Sequence, residues 1–249
     1  HILSPAARAA DGGDAALEVA CAAVAVIEER DVLRGGAREH GSDLRKRVRA
    51  LLESSPPEAA TVGAWRRADK AKKELMRQAA RLAKGGSGSS GSSGSDSGTG
   101  DGGGLGDASS LAAAFAAEAG RRSAGLTLDE QVAACGALLA GGFHDRIAQR
   151  QPGKQNVFAL SNGRGASFFS AAEPLSDSDY LVCLALDGGD KASARIQLAC
   201  PLSLSDVRRA LGGSAIVWRD ETFLAPSDGS VRRRRVERLG SLVLSDEPL

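Results

Sequence analysis

Residues 143–166 read FHDRIAQRQPGKQNVFALSNGRGA, and this stretch decides the fold. On its N-terminal side the apolar spacing is helical. On its C-terminal side short apolar runs alternate with turn residues, the signature of strands. Arg146 and Arg150 stand four apart on what reads as a helix exit, so they share a face. A polar turn with Lys154 leads to a short strand, Val157-Phe158-Ala159-Leu160. The following Asn162-Gly163-Arg164-Gly165-Ala166 reads as a hairpin tip. Its two glycines let backbone approach a neighbour closely while the Arg164 guanidinium projects. The stretch is thus a junction between a helical domain and a β-barrel, with basic groups at the seam.

Working toward the N-terminus, residues 14–30 form an amphipathic helix. Asp14 is its N-cap, and Leu17, Cys21, Val24 and Ile27 lie on one face. A second helix starts near Ser42, carries Leu44, Val48, Leu51 and Leu52, and stops before Pro56-Pro57. A third spans about residues 60–84. Trp65, Ala68, Leu75, Met76, Ala79 and Leu82 form its apolar face, and Lys and Arg its solvated one. Residues 85–104 are almost wholly Gly, Ser and Asp. Such a composition has no apolar surface to bury and reads as a disordered insertion within the helical domain. An Ala-rich helix at 108–119 follows. Thr127-Leu128-Asp129-Glu130 is a capping box, opening a helix with Val132, Cys135, Leu138 and Leu139.

Toward the C-terminus, Val157–Leu160, Ala166–Phe169, Tyr180–Leu186, Ala194–Ala199, Ala215–Trp218 and Val231–Leu244 read as strands, the last as a pair. Ser205–Leu211 is a short helix or turn between them. The fold class is therefore α+β: a helical domain over residues 1–150, then a small OB-like β-barrel over 151–249.

Composition narrows the function classes. The chain has 249 residues, 42% hydrophobic and 25% charged, as in ordinary globular proteins. No apolar run is long enough to cross a membrane, and no signal peptide is visible at the start. Cys21, Cys135, Cys183 and Cys200 form no CxxC pair and sit in apolar runs, as buried free thiols do. With His1, His40 and His144 far apart, no metal-ligand cluster is legible. The expected location is intracellular, cytoplasmic or organellar, with a plastid among the options.

The net charge of +1 is uninformative, but its distribution is not. Residues 44–84 hold twelve Lys or Arg against four acids, and residues 232–235 are four consecutive arginines. A basic run suits either a phosphate backbone or a solvated surface. The candidate RNA contacts are Arg146, Arg150, Lys154, Arg164, Arg232, Arg233, Arg234 and Arg235. A helix C-terminus gives Arg146 and Arg150 a structural alternative. Trp65 and Trp218 read as core residues rather than stacking platforms. No GxxxxGK[ST] phosphate loop, DEAD or DEAH box, or GxSxG elbow occurs, and nothing nominates a catalytic residue or a cofactor.

Several segments together resemble the region after the motor in HrpB-type ATP-dependent RNA helicases of the DEAH/DExH group. Glu28-Glu29-Arg30-Asp31-Val32-Leu33-Arg34 is similar to that family's ERDPLR segment, with Val32 replacing proline. Phe143-His144-Asp145-Arg146-Ile147-Ala148 resembles PDRIA, with His144 replacing proline, and Leu160–Ala166 resembles LANGRGA. Tyr180-Leu181-Val182 and Ala194–Ala199 resemble the strands WLVVADLD and ARIRLAAPL. Arg238–Leu249 resembles RLGALVLSERPL. The order is kept across most of the chain outside residues 53–125. The resemblance implies a helical, ratchet-like domain and an OB-like barrel that hold single-stranded RNA beside two RecA-like motor domains. ATP and Mg would belong to those motor domains, which this chain lacks. The RNA-facing arginines come from the sequence, not from the family.

Overall fold

The computed structural model describes residues 12–29, 31–85, 126–170, 172–188, 193–224 and 228–249. The Ala-rich segment at 108–119 and all but the first residue of the 85–104 insertion lie outside them. By packing, the chain divides into two units. One comprises His1–Val32 and Arg47–Val132, the other Leu33–Lys46 and Ala133–Leu249.

The first unit is helical. Helix α1 (Gly12–Glu28) begins two residues ahead of the expected cap at Asp14. Its burial is not one-sided. Every residue from Val19 to Val26 is buried, while Leu17 and Ile27 are only half-buried. Alanine at four of those eight positions leaves room for neighbours all round, which an amphipathic pattern underestimates. The short α2 (Gly36–His40), which belongs to the second unit, was not anticipated, and α3 spans Leu44–Leu52. Helix α4 (Val62–Gly85) matches the expected third helix. It buries Trp65, whose Nε1–H donates to the Ala50 carbonyl at 2.7 Å. Its basic face is solvated at Arg66, Lys70, Lys73 and Arg77, but Lys72 turns inward. The Lys72 ammonium donates to the Leu51 carbonyl at 2.9 Å and to Glu18 at 3.0 Å, the pairing that a buried charge requires.

Asp31 of the ERDVLR segment holds Arg47. The Arg47 side chain is fully buried, and its Nη2 donates to Asp31 Oδ2 at 2.6 Å. Helix α5 (Leu128–Ala140) opens with the expected capping box. The Thr127 N–H donates to Glu130 Oε2 at 2.7 Å, and the Glu130 N–H donates to Thr127 Oγ1 at 3.4 Å.

The second unit contains a closed five-stranded barrel of order β1-β2-β3-β5-β4, with β1 pairing both β2 and β4. The strands are β1 (Ile147–Arg150), β2 (Val157–Leu160), β3 (Gly165–Ser167), β4 (Tyr180–Asp187) and β5 (Ser193–Leu202). All neighbours are antiparallel except β3 and β5. The core is Phe158, Leu160, Phe168, Leu181, Cys183 and Ile196, with the two phenyl rings edge to face at 5.5 Å. Residues 33–46 join this unit. The Ala199 N–H donates to the Ser42 carbonyl at 2.8 Å, and the Ser42 hydroxyl donates to the Ile196 carbonyl at 3.2 Å.

Two expectations fail here. Arg146 and Arg150 do not share a helical face, because Arg146 ends a 3-10 turn (His144–Arg146) and Arg150 ends β1. Strand β1 was masked because it is both short and half polar, unlike the equally short but wholly apolar β2, and so resembles a helix end. Second, the C-terminal strands do not complete the barrel. After helix α6 (Leu204–Leu211), β6 (Ile216–Leu224), β7 (Val231–Leu239) and β8 (Leu242–Pro248) form a separate antiparallel sheet of order β6-β7-β8. The barrel already closes through β1 and β4, leaving no edge for them to join.

Candidate nucleic-acid interface

The basic residues fall in three places. The first is one end of the barrel. Arg150 and Lys154 line a cleft of about 300 Å³ with Gly153, Gln155, Asn156, Ser176 and Asp177. Arg150 also borders a larger cleft of about 820 Å³, whose walls include Gln149, Asp179, Tyr180 and Ser203. The loop between β1 and β2 is held open by Gly153 at φ 72° and Asn156 at φ 60°. Asn156 is pinned there, its side chain exchanging two 3.0 Å hydrogen bonds with the Phe168 backbone. The cleft is not simply positive. Arg150 Nη2 lies 2.6 Å from Asp179, and the Lys154 ammonium donates to Gln151 Oε1 at 2.9 Å. Burial pushes the Tyr180 phenol above its ordinary range.

The second place is the β2–β3 turn. Gly163 has φ 89°, which favours glycine. The Arg164 N–H donates to Asn162 Oδ1 at 3.1 Å, and the Leu160 N–H closes the turn on the Arg164 carbonyl at 2.8 Å. The tip packs against the β7–β8 turn: the Ser241 hydroxyl donates to the Leu160 carbonyl at 2.8 Å. Arg146 stands apart from it, half-buried, with one guanidinium N–H on the Leu184 carbonyl at 3.3 Å.

The third place is β7. Its arginines are spread over both faces of a sheet, and each meets carboxylate. Arg232 pairs with Asp228 at 2.7 Å, Arg233 with Asp220 at 3.7 Å, and Arg235 with Asp220 at 3.0 Å. Arg234 bridges Glu221 at 3.3 Å and Asp246 at 3.0 Å, and its guanidinium lies 4.9 Å from the Phe223 ring centre. The Arg238 hydrogen bond, at 2.6 Å, holds the Glu221 carboxyl below the usual carboxylate range. Exposed pairs of this kind contribute little stability, but they neutralise the run. The tertiary register supplies the partners. Counting back across the β6–β7 hairpin sets Asp220 opposite Arg235 and Glu221 opposite Arg234.

Trp218 also departs from expectation, being about half exposed. Its strand lies at the edge of the β6–β8 sheet rather than in the barrel core. Among the described residues, no group of three or more His, Cys, Asp or Glu could hold a metal ion, and no helix is long and apolar enough to cross a membrane.

No family model and no curated protein matches this chain. A solved structure does. The Escherichia coli DExH-box NTPase HrpB matches 93% of this chain at 21% identity, with a TM-score of 0.54. In fold, this chain is similar to a segment of HrpB. It spans about a fifth of that protein, 21% of its length. A second structure, the Escherichia coli DEAH/RHA helicase HrpB, matches at 20% identity over 88% of this chain and 25% of its own, with a TM-score of 0.41.

Proposed function

We propose that this chain is a non-catalytic accessory region of an ATP-dependent RNA helicase of the HrpB type. The observation that carries the reading is the fold similarity to HrpB over 93% of this chain. In this reading the helical part is a ratchet-like domain, and the barrel is of the OB type. The OB assignment is supported by the strand order, by β1 being shared between β2 and β4, and by the single parallel pair β3–β5. OB barrels bind oligonucleotides through strands 2 and 3 and the adjoining loops, and the β1–β2 loop here carries Lys154. RecA-like motor domains of the same parent protein would bind ATP and Mg and pull the strand. The accessory domains would guide it, in an intracellular setting.

Within this reading Lys154 and Arg164, on loops at the barrel's β1–β2 and β2–β3 connections, are the stronger RNA contacts, and Arg150, 2.6 Å from Asp179, is matched by a carboxylate. The arginines of β7 are already matched by carboxylates. Arg146 is partly used by the Leu184 carbonyl.

The test is titration of labelled single-stranded RNA with the purified chain at two salt concentrations. Binding near about 50 mM salt that weakens steeply on adding salt is expected from phosphate contacts. Absence of binding there would favour a protein-interaction module instead. Reading the gene upstream of His1 tests the other half: a phosphate loop and a DEAH-type box are expected.

A further inference from the structure

Strand β6 is nine residues long and lies at the edge of its sheet, paired only with β7 among the described residues. A long edge strand offers a row of unmet N–H and C=O groups and is ordinarily blunted or covered. Here it also carries exposed apolar side chains: Val217, Trp218 and Leu224 are 45%, 49% and 69% exposed. Arg219 is exposed at its middle with no ion-pair partner among the described residues.

The strand is complementary to itself. Ile216-Val217-Trp218-Arg219-Asp220-Glu221-Thr222-Phe223-Leu224 can meet a second copy antiparallel, about a twofold axis normal to the sheet through Asp220. That operation keeps each side chain on its own face. It sets Arg219 opposite Glu221 of the second copy, twice, adding to the Arg234 and Arg238 that already hold that carboxylate at 3.3 and 2.6 Å. It sets Val217 opposite Phe223, Ile216 opposite Leu224, and Trp218 opposite Thr222. The two Asp220 carboxylates meet at the axis, but each already lies 3.0 Å from its own Arg235 and 3.7 Å from its own Arg233. Neighbouring registers lose this match. An axis through Arg219 opposes two free arginines and puts Val217 against Glu221. An axis through Glu221 puts Arg219 against Phe223 and so loses both ion pairs.

We propose that β6 is a homodimerisation edge, at which a second copy of this chain adds its own β6 and makes one continuous sheet. Such a contact is isologous and closed, so it yields a dimer rather than a fibre. Main-chain hydrogen bonds supply affinity, and the opposed side chains set the register. This inference is independent of RNA binding.

The experiment is sedimentation of the purified chain over a concentration series, with three variants. A monomer–dimer equilibrium is expected. Arg219→Glu, which opposes glutamates twice, should abolish the dimer, with unchanged circular dichroism showing that the fold is intact. Under mild oxidation Asp220→Cys should cross-link to itself across the axis, whereas Leu224→Cys, far from its own copy, should not. A chain that stays monomeric at every concentration would overturn the proposal and leave the edge to another protein or to a segment beyond these residues. So would a dimer that Arg219→Glu leaves unaltered, or cross-linking at Leu224→Cys equal to that at Asp220→Cys.

Discussion

Gly240 presses against the Ser161 carbonyl so closely that any Cβ at residue 240 would collide with it. The next residue makes the contact favourable: the Ser241 N–H donates to the same Ser161 oxygen at 2.8 Å. The β2–β3 turn of the barrel and the β7–β8 turn of the second sheet are joined there. Gly240 also has φ 56°, where a side chain is strained.

Gly240→Ala therefore combines a backbone collision with backbone strain and should destabilise by roughly 2–4 kcal/mol. Gly163→Ala, with φ 89° but open space around it, should cost only about 1 kcal/mol. Denaturant unfolding of both variants checks the order. Equal losses would mean that conformation, not contact, governs Gly240.

Arg47→Ala removes a fully buried guanidinium and strips Asp31 of its 2.6 Å partner. Breaking one side of such a pair costs about 3–5 kcal/mol. Replacement by Met, similar in volume and uncharged, should be milder. The readout is the midpoint shift in urea.

Arg164→Ala should weaken RNA binding at low salt and reduce the salt slope by about 0.7, the value for one phosphate on a single strand. Arg233→Ala, whose charge is shared with Asp220, should change the slope less. Anisotropy titrations over a salt series distinguish them, and an unchanged slope removes Arg164 from the contacts.

Burial pushes the Cys183 thiol up to about 12 and the Cys21 thiol to about 11. The Cys200 thiol is raised as well, through its contact with Cys135 at 3.6 Å and its burial. A folded pKa above the unfolded one gives stability that is complete below the unfolded value and is lost as pH rises through the folded one. Stability attributable to these thiols should be flat through neutral pH and decline above about 9. In the same vein, all four cysteines should resist a thiol reagent at pH 8 until denaturant is added.

The carboxyls of Glu221, beside Arg238, and Asp228, bonded by Ser230, have folded values below the ordinary ones. Their contribution is present above the unfolded carboxylate range and is lost as pH falls through the folded values. The β6–β8 sheet should therefore hold from neutral pH to about 5 and loosen below about 4. Asp228 is exposed and Glu221 half-buried at the surface, so the effect is small. Hydrogen exchange across β7 against pH measures it.

Much of this was written locally. The capping box at Thr127–Glu130 needs only residues three apart, and it formed as read. Strands β2, β4 and β5 and helices α4 and α6 follow from apolar spacing, and local rules decide them. The same rules identified the glycines of the Asn162–Ala166 tip and the buried, unpaired cysteines. Local rules could not show that this tip rests on Gly240-Ser241, about eighty positions away, nor that Lys72 turns inward from a basic helix face. They could not place Arg146 and Arg150, because β1 is half polar where the equally short β2 is wholly apolar. Nor could they decide that Trp218 is exposed, since strand propensity is the same whether a sheet is covered or bare. The arginine run is the sharpest case. The sequence by itself determined its charge and its strand. Only the tertiary register, with Asp220, Glu221 and Asp246 set across from it, decided that the charge is met, because pairing depends on distance in space and not along the chain.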